Sequence, residues 1–480
     1  MKLCWIPLAT TLFIATTASA QNRIGTGNVK EIYREHCASC HGKKLEGGLG
    51  GSLLEGPWQH GGDSAAITRI TTEGALDVGM PAFGDTLSAA EIRAITIFIL
   101  EERDIHDSKP APVDSANWSN ETVFTAGDVD FRVEILASSD AQLWAIDFLP
   151  DGTLIATERD GKLRLLKDGE LGPAISGTPD VLVGGQGGLL DVGVHPDYAE
   201  NGWIYLSYSE ADGSGADKPD SMTAVVRGRI KDGKWVDQEE IFHARTEDFV
   251  GSRNHFGSRF VFLDGYLYFG IGDRGNKERA QDLTKPNGKI HRLHDDGRIP
   301  EDNPFVNEPG AYPSIYSLGH RNPQGLTLRP DAGQVWESEH GPRGGDELNL
   351  IEPGKNYGWP DVTYGMNYNG TPITSETTAP GIQGPATYWI PSLGVCGIAH
   401  YDGDAFPGWK GNILVAGLAT RDLRRVVLDG DKVVSEEVLF KELGRMRDVA
   451  SGPDGHPYAV VNAASGNRAK PGRIVRLVPN

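Results

Sequence analysis

The stretch IDFLPDGTL, residues 146–154, joins two apolar segments through a tight turn centred on Asp-Gly. The unit recurs loosely along the chain, around residues 195–197, 263–268, 329–331, 404–415 and 453–455. Strand–turn–strand units that repeat every roughly 50–70 residues are typical of propeller blades. Six units predict an all-β, six-bladed β-propeller. The alternatives are a seven-bladed ring with one unit missed and a pair of β-sandwiches.

The two ends of the repetitive region also look like strands, at residues 131–136 (FRVEIL) and 473–477 (RIVRL). We expect them to close the ring within one blade, because closure removes an open sheet edge. Glycine accounts for 62 of 480 residues, which indicates many tight turns. The hydrophobic share of 39% is that of a folded globular chain.

The charge balance narrows the function classes. There are 46 Lys and Arg against 66 Asp and Glu, a net charge of −20. This balance argues against binding to a nucleic-acid backbone. After the first twenty residues no apolar run approaches the length of a spanning helix, so we expect a soluble protein with no membrane span.

Residues 1–20 have the pattern of a signal peptide. Lys2 gives the positive start, residues 8–15 the apolar middle, and Ala18-Ser19-Ala20 a small-residue cleavage site. The mature protein is then expected to begin at Gln21 in the periplasm.

Three cysteines remain after that cleavage: Cys37, Cys40 and Cys396. Residues 37–41 read Cys-Ala-Ser-Cys-His, the pattern for covalent attachment of c-type haem, with His41 as an iron ligand. A zinc half-site would need two more ligands at matching spacing, and a redox dithiol would need a thioredoxin-like context. Neither is evident. Cys396 is expected to be a buried, small apolar residue.

A second iron ligand is expected at Met80, which lies in a Gly-Met-Pro loop. A thioether ligand raises the haem potential, as an electron acceptor requires. Ser88 and Glu91 then form a capping-box pattern before a helix with apolar residues at Ile92, Ile95 and Ile99. Residues 25–105 resemble a class I cytochrome c, which is a small all-α domain.

These patterns predict four parts: a signal peptide at 1–20, a cytochrome c domain at 21–106, a linker at 107–128 and a propeller at 129–480. The linker is rich in Pro, Ser, Asn and Thr.

Long motifs in the propeller carry a second resemblance. They are HFGSR (255–259), YLYFGIGDRG (266–275), GHRNPQGL (319–326), SEHGP (338–342), DELNLI (346–351), NYGWP (356–360) and RMRDVASGPDG (445–455). In these motifs the sequence resembles the soluble sugar dehydrogenases that depend on pyrroloquinoline quinone (PQQ), above all the aldose sugar dehydrogenase branch. That family has a six-bladed propeller.

The resemblance assigns roles to residues of the propeller. It implies that His255 is the general base that takes the proton of the sugar's anomeric hydroxyl, and that Arg321 stabilises charge on the quinone. It also implies a cofactor-binding set: Gln186, Asn322, Arg445 and Arg447. The two last arginines would pair with carboxylates of the cofactor.

The resemblance further implies calcium. The carbonyls of Gly341 and Pro342 match ligands of the calcium beside the quinone, and Glu347 and the Tyr357 carbonyl match part of a second calcium site. One departure concerns a lysine of the glucose-oxidising branch, which has no counterpart here. Whether Arg421 replaces it stays open.

The function expected from these patterns is oxidation of aldose sugars to lactones with PQQ, with electrons passed to the chain's own haem and on to a periplasmic acceptor. The competing classes are a propeller lactonase or other metal-dependent hydrolase, and an electron-transfer protein without enzyme activity.

Overall fold

Four helices form the N-terminal domain of the computed structural model, which describes residues 27–56, 58–107, 119–167, 169–441, 443–463 and 472–480. They are α1 (Val29–His36), α2 (Ala38–His41), α3 (Ser64–Glu73) and α4 (Ala89–Asp107). The proposed signal peptide lies outside the described residues. Nowhere in the described part of the chain is a helix both long and apolar enough to cross a bilayer.

Side-chain caps fix where these helices begin. Asp63 accepts a hydrogen bond from the backbone N–H of Ala66 (2.8 Å) at the start of α3. Ser88 and Glu91 form a reciprocal pair before α4: the Glu91 N–H donates to the Ser88 hydroxyl (3.2 Å), and the Ser88 N–H donates to the Glu91 carboxylate (2.9 Å). This is the predicted capping box.

The helices enclose an apolar core of their own. Ile32 and Tyr33 of α1 pack with Ile95 and Phe98 of α4, and the rings of Tyr33 and Phe98 meet edge-on with centroids 5.4 Å apart. Ile92 and Ile99 belong to the same cluster, as their helical spacing predicts.

Six antiparallel sheets follow. The first holds β3 (Leu143–Phe148), β4 (Leu154–Glu158), β5 (Lys162–Lys167) and β6 (Glu170–Leu171). The second holds β7 (Leu189–Val194), β8 (Ile204–Ala211), β9 (Ser221–Lys231) and β10 (Lys234–Phe242), with a short helix α5 (Tyr198–Asn201) before β8. The third holds β11 (Phe260–Leu263), β12 (Tyr266–Ile271), β13 (Lys289–His294) and β14 (Ile315–Leu318).

The fourth sheet holds β15 (Pro323–Arg329), β16 (Gln334–Glu339), β17 (Asp346–Ile351) and β18 (Thr387–Trp389). The fifth holds β19 (Val395–Tyr401), β20 (Asn412–Gly417), β21 (Asp422–Asp429) and β22 (Lys432–Lys441). The sixth joins both ends of the propeller: β1 (Val123–Ala126), β2 (Val129–Ser139), β23 (Arg445–Ser451), β24 (Pro457–Asn462) and β25 (Gly472–Pro479).

The inner strands β3, β7, β11, β15, β19 and β23 contact one another in this order and return to β3, so the sheets form a closed ring. The six-bladed prediction is confirmed. The ring closes where β2 pairs antiparallel with β25, from Phe131 opposite Pro479 to Ser139 opposite Gly472. These are the two terminal strands that the sequence places in one blade.

An aromatic cluster supports the closing blade. The fully buried ring of Phe131 on β2 lies edge-on to Trp409 (5.8 Å between centroids) and to Phe406 (6.1 Å). Phe124 of β1 stacks on the same ring. Strand β1 lies inside segment 107–128, which the sequence predicts as linker. It pairs with β2 through a stretch that includes the apolar residues Val123 and Phe124, and so forms the outermost strand of this blade.

Candidate active site

His255 lies in a tightly held loop before β11. Its φ of 54° is left-handed, a conformation that a side chain other than glycine rarely adopts. Its N–H donates to the Gln186 side chain (2.6 Å). The guanidinium of Arg274 lies 3.4 Å above the Phe256 ring and donates to the Ser252 carbonyl (2.6 Å). The base predicted from sequence is thus fixed from both sides.

Asp273 orients the His255 ring. Its carboxylate lies 2.6 Å from Nδ1 of His255, and its other oxygen accepts a hydrogen bond from the Trp359 indole (2.9 Å). Burial lowers the pKa of His255, although the hydrogen bond to Asp273 opposes this. Burial alone would raise the pKa of Asp273, but the contacts with His255 and Arg321 keep it below its usual value. Asp273 is therefore an anion beside a neutral imidazole.

The predicted cofactor-binding residues line one cavity of the propeller. Gln186, Asn322, Arg445 and Arg447 all line it. Sequence reasoning missed several further lining residues: Gln142, Trp144, Arg159, Gln324 and His340.

Three arginines dominate this cavity: Arg159, Arg445 and Arg447. None of them pairs with a carboxylate within 4 Å in the described part of the chain. Burial and the Arg447 charge lower the pKa of both Arg159 and Arg445. The buried Nε of Arg447 has no hydrogen-bond partner among the described residues. Such a set of guanidinium groups without carboxylate partners fits a ligand that carries several carboxylates.

A buried ion triad holds the strand that carries Arg447, one of the cavity arginines. Arg259 lies 2.9 Å from the carboxylates of both Asp191 and Asp448, and it also donates to the Arg447 carbonyl (3.0 Å). Burial raises the pKa of Asp191 to about 7, against the effect of Arg259. Because Asp448 follows Arg447 directly, this triad fixes the strand that carries the cavity arginine.

Arg321 lies beside a second, adjoining cavity. Its guanidinium donates to the carbonyls of His340 (3.0 Å) and Gly341 (2.7 Å). It also lies over the Trp359 ring, 5.4 Å from the centroid, and 3.4 Å from the Tyr368 hydroxyl. Arg321 therefore joins the His255–Asp273–Trp359 group to the loop predicted to bind calcium.

The four residues predicted as calcium ligands line this second cavity together: Gly341, Pro342, Glu347 and Tyr357. Burial and Glu339 raise the pKa of Glu347 well above its usual value. The pKa of Glu337, which is fully buried, is also raised well above its usual value by burial and by Glu339. The half-buried Glu347 and the fully buried Glu337 fit a bound cation, which would hold them ionised.

Asp346 has a different place. Its carboxylate accepts hydrogen bonds from the Gly341 N–H (3.0 Å), the Ser392 hydroxyl (2.8 Å) and the Val395 N–H (3.0 Å). It therefore ties the Gly341 loop to the segment around Ser392 and Val395.

In the helical domain the thiols of Cys37 and Cys40 lie at the junction of α1 and α2, and His41 ends α2. His41 Nδ1 lies 2.8 Å from the Gly51 carbonyl, which leaves Nε2 for a ligand. A Cβ at Gly50 would lie 3.0 Å from the His41 ring, so the backbone of Gly50 packs closely against this ring. These features fit an axial histidine.

Met80 is held at the backbone by an isolated bridge. Its N–H donates to the Ala75 carbonyl (3.0 Å), and its carbonyl accepts from the Ala75 N–H (2.9 Å).

Burial and the neighbouring Cys40 raise the pKa of the Cys37 thiol to about 11.

Two other positions singled out in the sequence lie near the first cavity. Cys396 is fully buried, and its sulfur lies 3.3 Å from Nη1 of Arg447, so it has a polar contact besides its apolar packing. Arg421 lies close enough to Arg445 to lower the pKa of that arginine. It is not among the residues that line the cavity.

Comparisons with known proteins assign both parts of the chain to families. A family model described as Glucose / Sorbosone dehydrogenase matches residues 140–476, and one described as Cytochrome C oxidase, cbb3-type, subunit III matches residues 26–99. The chain is 41% identical over 353 residues to the aldose sugar dehydrogenase YliI of Escherichia coli K12, covering 72% of this chain and 94% of that protein.

Solved structures share the fold. The apo-form of soluble aldose sugar dehydrogenase from Escherichia coli superposes with a TM-score of 0.68 at 40% identity, covering 73% of this chain and 100% of that chain. The PQQ-bound form of aldose sugar dehydrogenase from Streptomyces coelicolor gives a TM-score of 0.58 at 26% identity, covering 73% and 98%. The chain thus belongs to the glucose/sorbosone dehydrogenase family of oxidoreductases and carries a cytochrome c domain at its N-terminus.

Proposed function

We propose that this protein is a periplasmic, PQQ-dependent dehydrogenase that oxidises the anomeric hydroxyl of aldose sugars to lactones and passes the electrons to its own c-type haem. One observation carries the proposal: the His255–Asp273 pair lies next to a cavity lined by three arginines that lack carboxylate partners. A solved relative with PQQ bound supports the identity of the cofactor.

Residues of both cavities would hold the cofactor. Arg445 and Arg447, with Arg159, would pair with its carboxylates, and Gln186 and Asn322 would supply neutral hydrogen bonds. The carbonyls of Gly341 and Pro342 would hold the calcium beside it, and Glu347 with the Tyr357 carbonyl a second calcium ion. When bound, PQQ supplies an acceptor for the two electrons that leave the sugar.

The chain's own residues account for the proton. Neutral His255 accepts the proton of the anomeric hydroxyl on Nε2, since Nδ1 donates to Asp273. The Asp273 anion then stabilises the imidazolium. The guanidinium of Arg321 would stabilise the negative charge that develops on the quinone.

Four residues of the helical domain support the proposed transfer of electrons to a haem. Cys37 and Cys40 would form the thioether bonds to the haem, and His41 and Met80 would ligate its iron. A downstream periplasmic acceptor would then reoxidise this haem.

Reconstitution tests the proposal. Haem-loaded protein is incubated with PQQ and Ca²⁺, and a panel of aldoses is screened by reduction of the haem. Aldoses are expected to reduce it only when both PQQ and Ca²⁺ are present. The single-turnover rate is expected to be independent of protein concentration, because the electrons stay within one molecule. A rate that rises linearly with concentration would show transfer between molecules.

A further inference from the structure

One face of α4 lies against the propeller, at the edge of the apolar core of the cytochrome. Arg93, Ile97 and Glu101 follow one another at intervals of four residues, so they lie on one side of the helix. Ile97 is fully buried and faces Gly344, where an added Cβ would lie 3.1 Å from the end of the Ile97 side chain. The Arg93 guanidinium donates to the carbonyls of Thr374 (2.5 Å) and Ser375 (3.3 Å).

Glu101 forms an ion pair with Arg343 on this face. Nε of Arg343 donates to both carboxylate oxygens (3.1 Å to Oε1 and 2.8 Å to Oε2), and Nη2 donates to Oε2 (2.6 Å). The side chains of Glu101 and Arg343 are only 22% and 20% exposed. Charge-assisted hydrogen bonds from two guanidinium nitrogens to both carboxylate oxygens fix direction as well as distance, so Glu101 holds the Arg343 guanidinium in place.

Arg343 is also paired through its backbone with Met366. The N–H of each residue donates to the carbonyl of the other at 2.9 Å. Met366 is 1% exposed and packs into the apolar core of the cytochrome. Both residues of this bridge are therefore held by the N-terminal domain, one through an ion pair and one through apolar packing.

The start of α1 makes a second contact with the propeller. The Val29 N–H donates to the Gly370 carbonyl at 2.8 Å. Between Met366 and Gly370 lies Tyr368, whose hydroxyl is 3.4 Å from Arg321. The cytochrome thus contacts this loop on both sides of the residue that reaches the site.

The held segments adjoin the residues proposed to bind calcium. Arg343 follows Gly341 and Pro342 directly in the chain. The Gly345 N–H donates to the Trp389 carbonyl (2.8 Å), and the Gly341 N–H to Asp346 (3.0 Å). Contacts within the propeller therefore hold Gly341 and Gly345 at the two ends of this loop, whereas the cytochrome domain holds Arg343 between them.

We propose that the cytochrome domain is a structural part of the quinone site: Glu101 is a positioning residue that fixes, through Arg343, the loop whose Gly341 and Pro342 carbonyls would hold the calcium. The inference rests on the proposed function, because the calcium and PQQ belong to it. It adds that the cytochrome stays docked throughout the reaction and that cofactor affinity depends on a residue outside the propeller.

The test uses the full, haem-loaded chain and compares Glu101→Gln with Asp104→Asn, which removes an exposed carboxylate from the same helix. Binding of PQQ at fixed Ca²⁺ is measured by equilibrium dialysis. Glu101→Gln is expected to raise the dissociation constant about 10- to 100-fold, the usual effect of losing a residue that orients a metal ligand. Asp104→Asn is expected to leave it unchanged. Glu101→Asp, which keeps the carboxylate, is expected to restore part of the affinity.

Hydrogen exchange gives a readout that needs no cofactor. The amides of Arg343 and Gly345 are expected to exchange faster in Glu101→Gln than in the wild type or in Asp104→Asn. Should Glu101→Gln fold poorly, as shown by its haem spectrum and circular dichroism, Arg343→Gln removes the same ion pair and is measured in its place.

The outcomes separate the two proposals. Wild-type protein that binds no PQQ overturns the proposed function and this inference with it. Wild-type protein that binds PQQ, together with unchanged affinity and exchange in Glu101→Gln, overturns only the positioning role. Weaker PQQ binding and faster exchange in Glu101→Gln alone support it.

Discussion

The carboxylate of Asp273 lies 2.6 Å from Nδ1 of His255, and this contact determines which ring nitrogen is free to accept a proton. The same carboxylate accepts hydrogen bonds from the Trp359 indole and from the Gly275 N–H (2.7 Å). With its acceptor sites used in this way, Asp273 holds the ring in one orientation. The chemistry expected at His255 therefore depends on a residue that follows it by eighteen positions in the chain.

His255→Ala is expected to lower turnover about 10²–10⁴-fold, the usual contribution of a general base. The affinity for PQQ, measured by dialysis, should stay close to that of the wild type, because the carboxylate-binding arginines are intact. A variant with near-full turnover would contradict the assignment. The control is His243→Ala, whose half-exposed side chain lies beside Glu210 in another blade.

The pH profile gives a separate test. Because burial lowers the pKa of His255, the neutral base is expected to predominate already below the ordinary histidine pKa of about 6.5. Turnover should rise with pH through a midpoint below that value. Asp273→Asn removes an interaction that raises the pKa, so the midpoint should move further down while maximal turnover falls. A midpoint that moves up in this variant would contradict the proposed pair.

Arg447→Ala is expected to weaken PQQ binding by about 1.5–3 kcal/mol, the range for hydrogen bonds to charged groups. This corresponds to roughly a 10- to 100-fold higher dissociation constant. The control is Arg298→Ala, since Arg298 is 72% exposed and paired with Asp296. Equal affinities of the two variants would place the cofactor carboxylates elsewhere.

Met80→His is expected to lower the haem midpoint potential, because a thioether ligand raises the potential relative to a second imidazole. Spectroelectrochemical titration of the haem-loaded protein measures the change. His60→Ala, at a partly exposed histidine near Asp77, is expected to leave the potential unchanged. An unaltered potential in Met80→His would show that another residue ligates the iron.

Phe131→Ala tests the closing blade. Removing this buried ring from contact with Trp409 and Phe406 is expected to cost about 3–5 kcal/mol of propeller stability. Denaturant unfolding followed by tryptophan fluorescence measures the loss, while haem absorbance reports on the cytochrome. Val123→Ala, at a half-exposed position of β1, should cost far less.

The sequence predicts the six blades and the capping box of α4 because both depend on local patterns: turn residues, apolar alternation and a reciprocal cap. The closing pair of terminal strands was predictable for another reason, since a closed ring leaves no open sheet edge. Asp273 and Trp359 lie inside the quoted motifs but receive no role there, because their contact joins residues 86 positions apart. Arg159 belongs to no motif, and only the folded ring brings it beside Arg447.

The α4 face could not be read in the same way. The apolar spacing places Ile92, Ile95 and Ile99 on the core side of α4. Ile97 lies outside this spacing, and its contact with Gly344, far along the chain, is visible only in the folded structure. Likewise the polar composition of residues 107–122 hides the short apolar pair with which β1 begins. In both cases the missing information is a contact between distant segments, which a single sequence does not record.

The pairing of β2 with β25 has a consequence for biogenesis. A chain made from its N-terminus delivers the helical segment first, whereas β25, the partner of β2, follows every other described strand. The propeller cannot close until β25 has been made, and pairing of such distant segments is slow. The Cys37–His41 segment therefore emerges well before residues 343 and 366–375, which hold the helical domain in the folded protein.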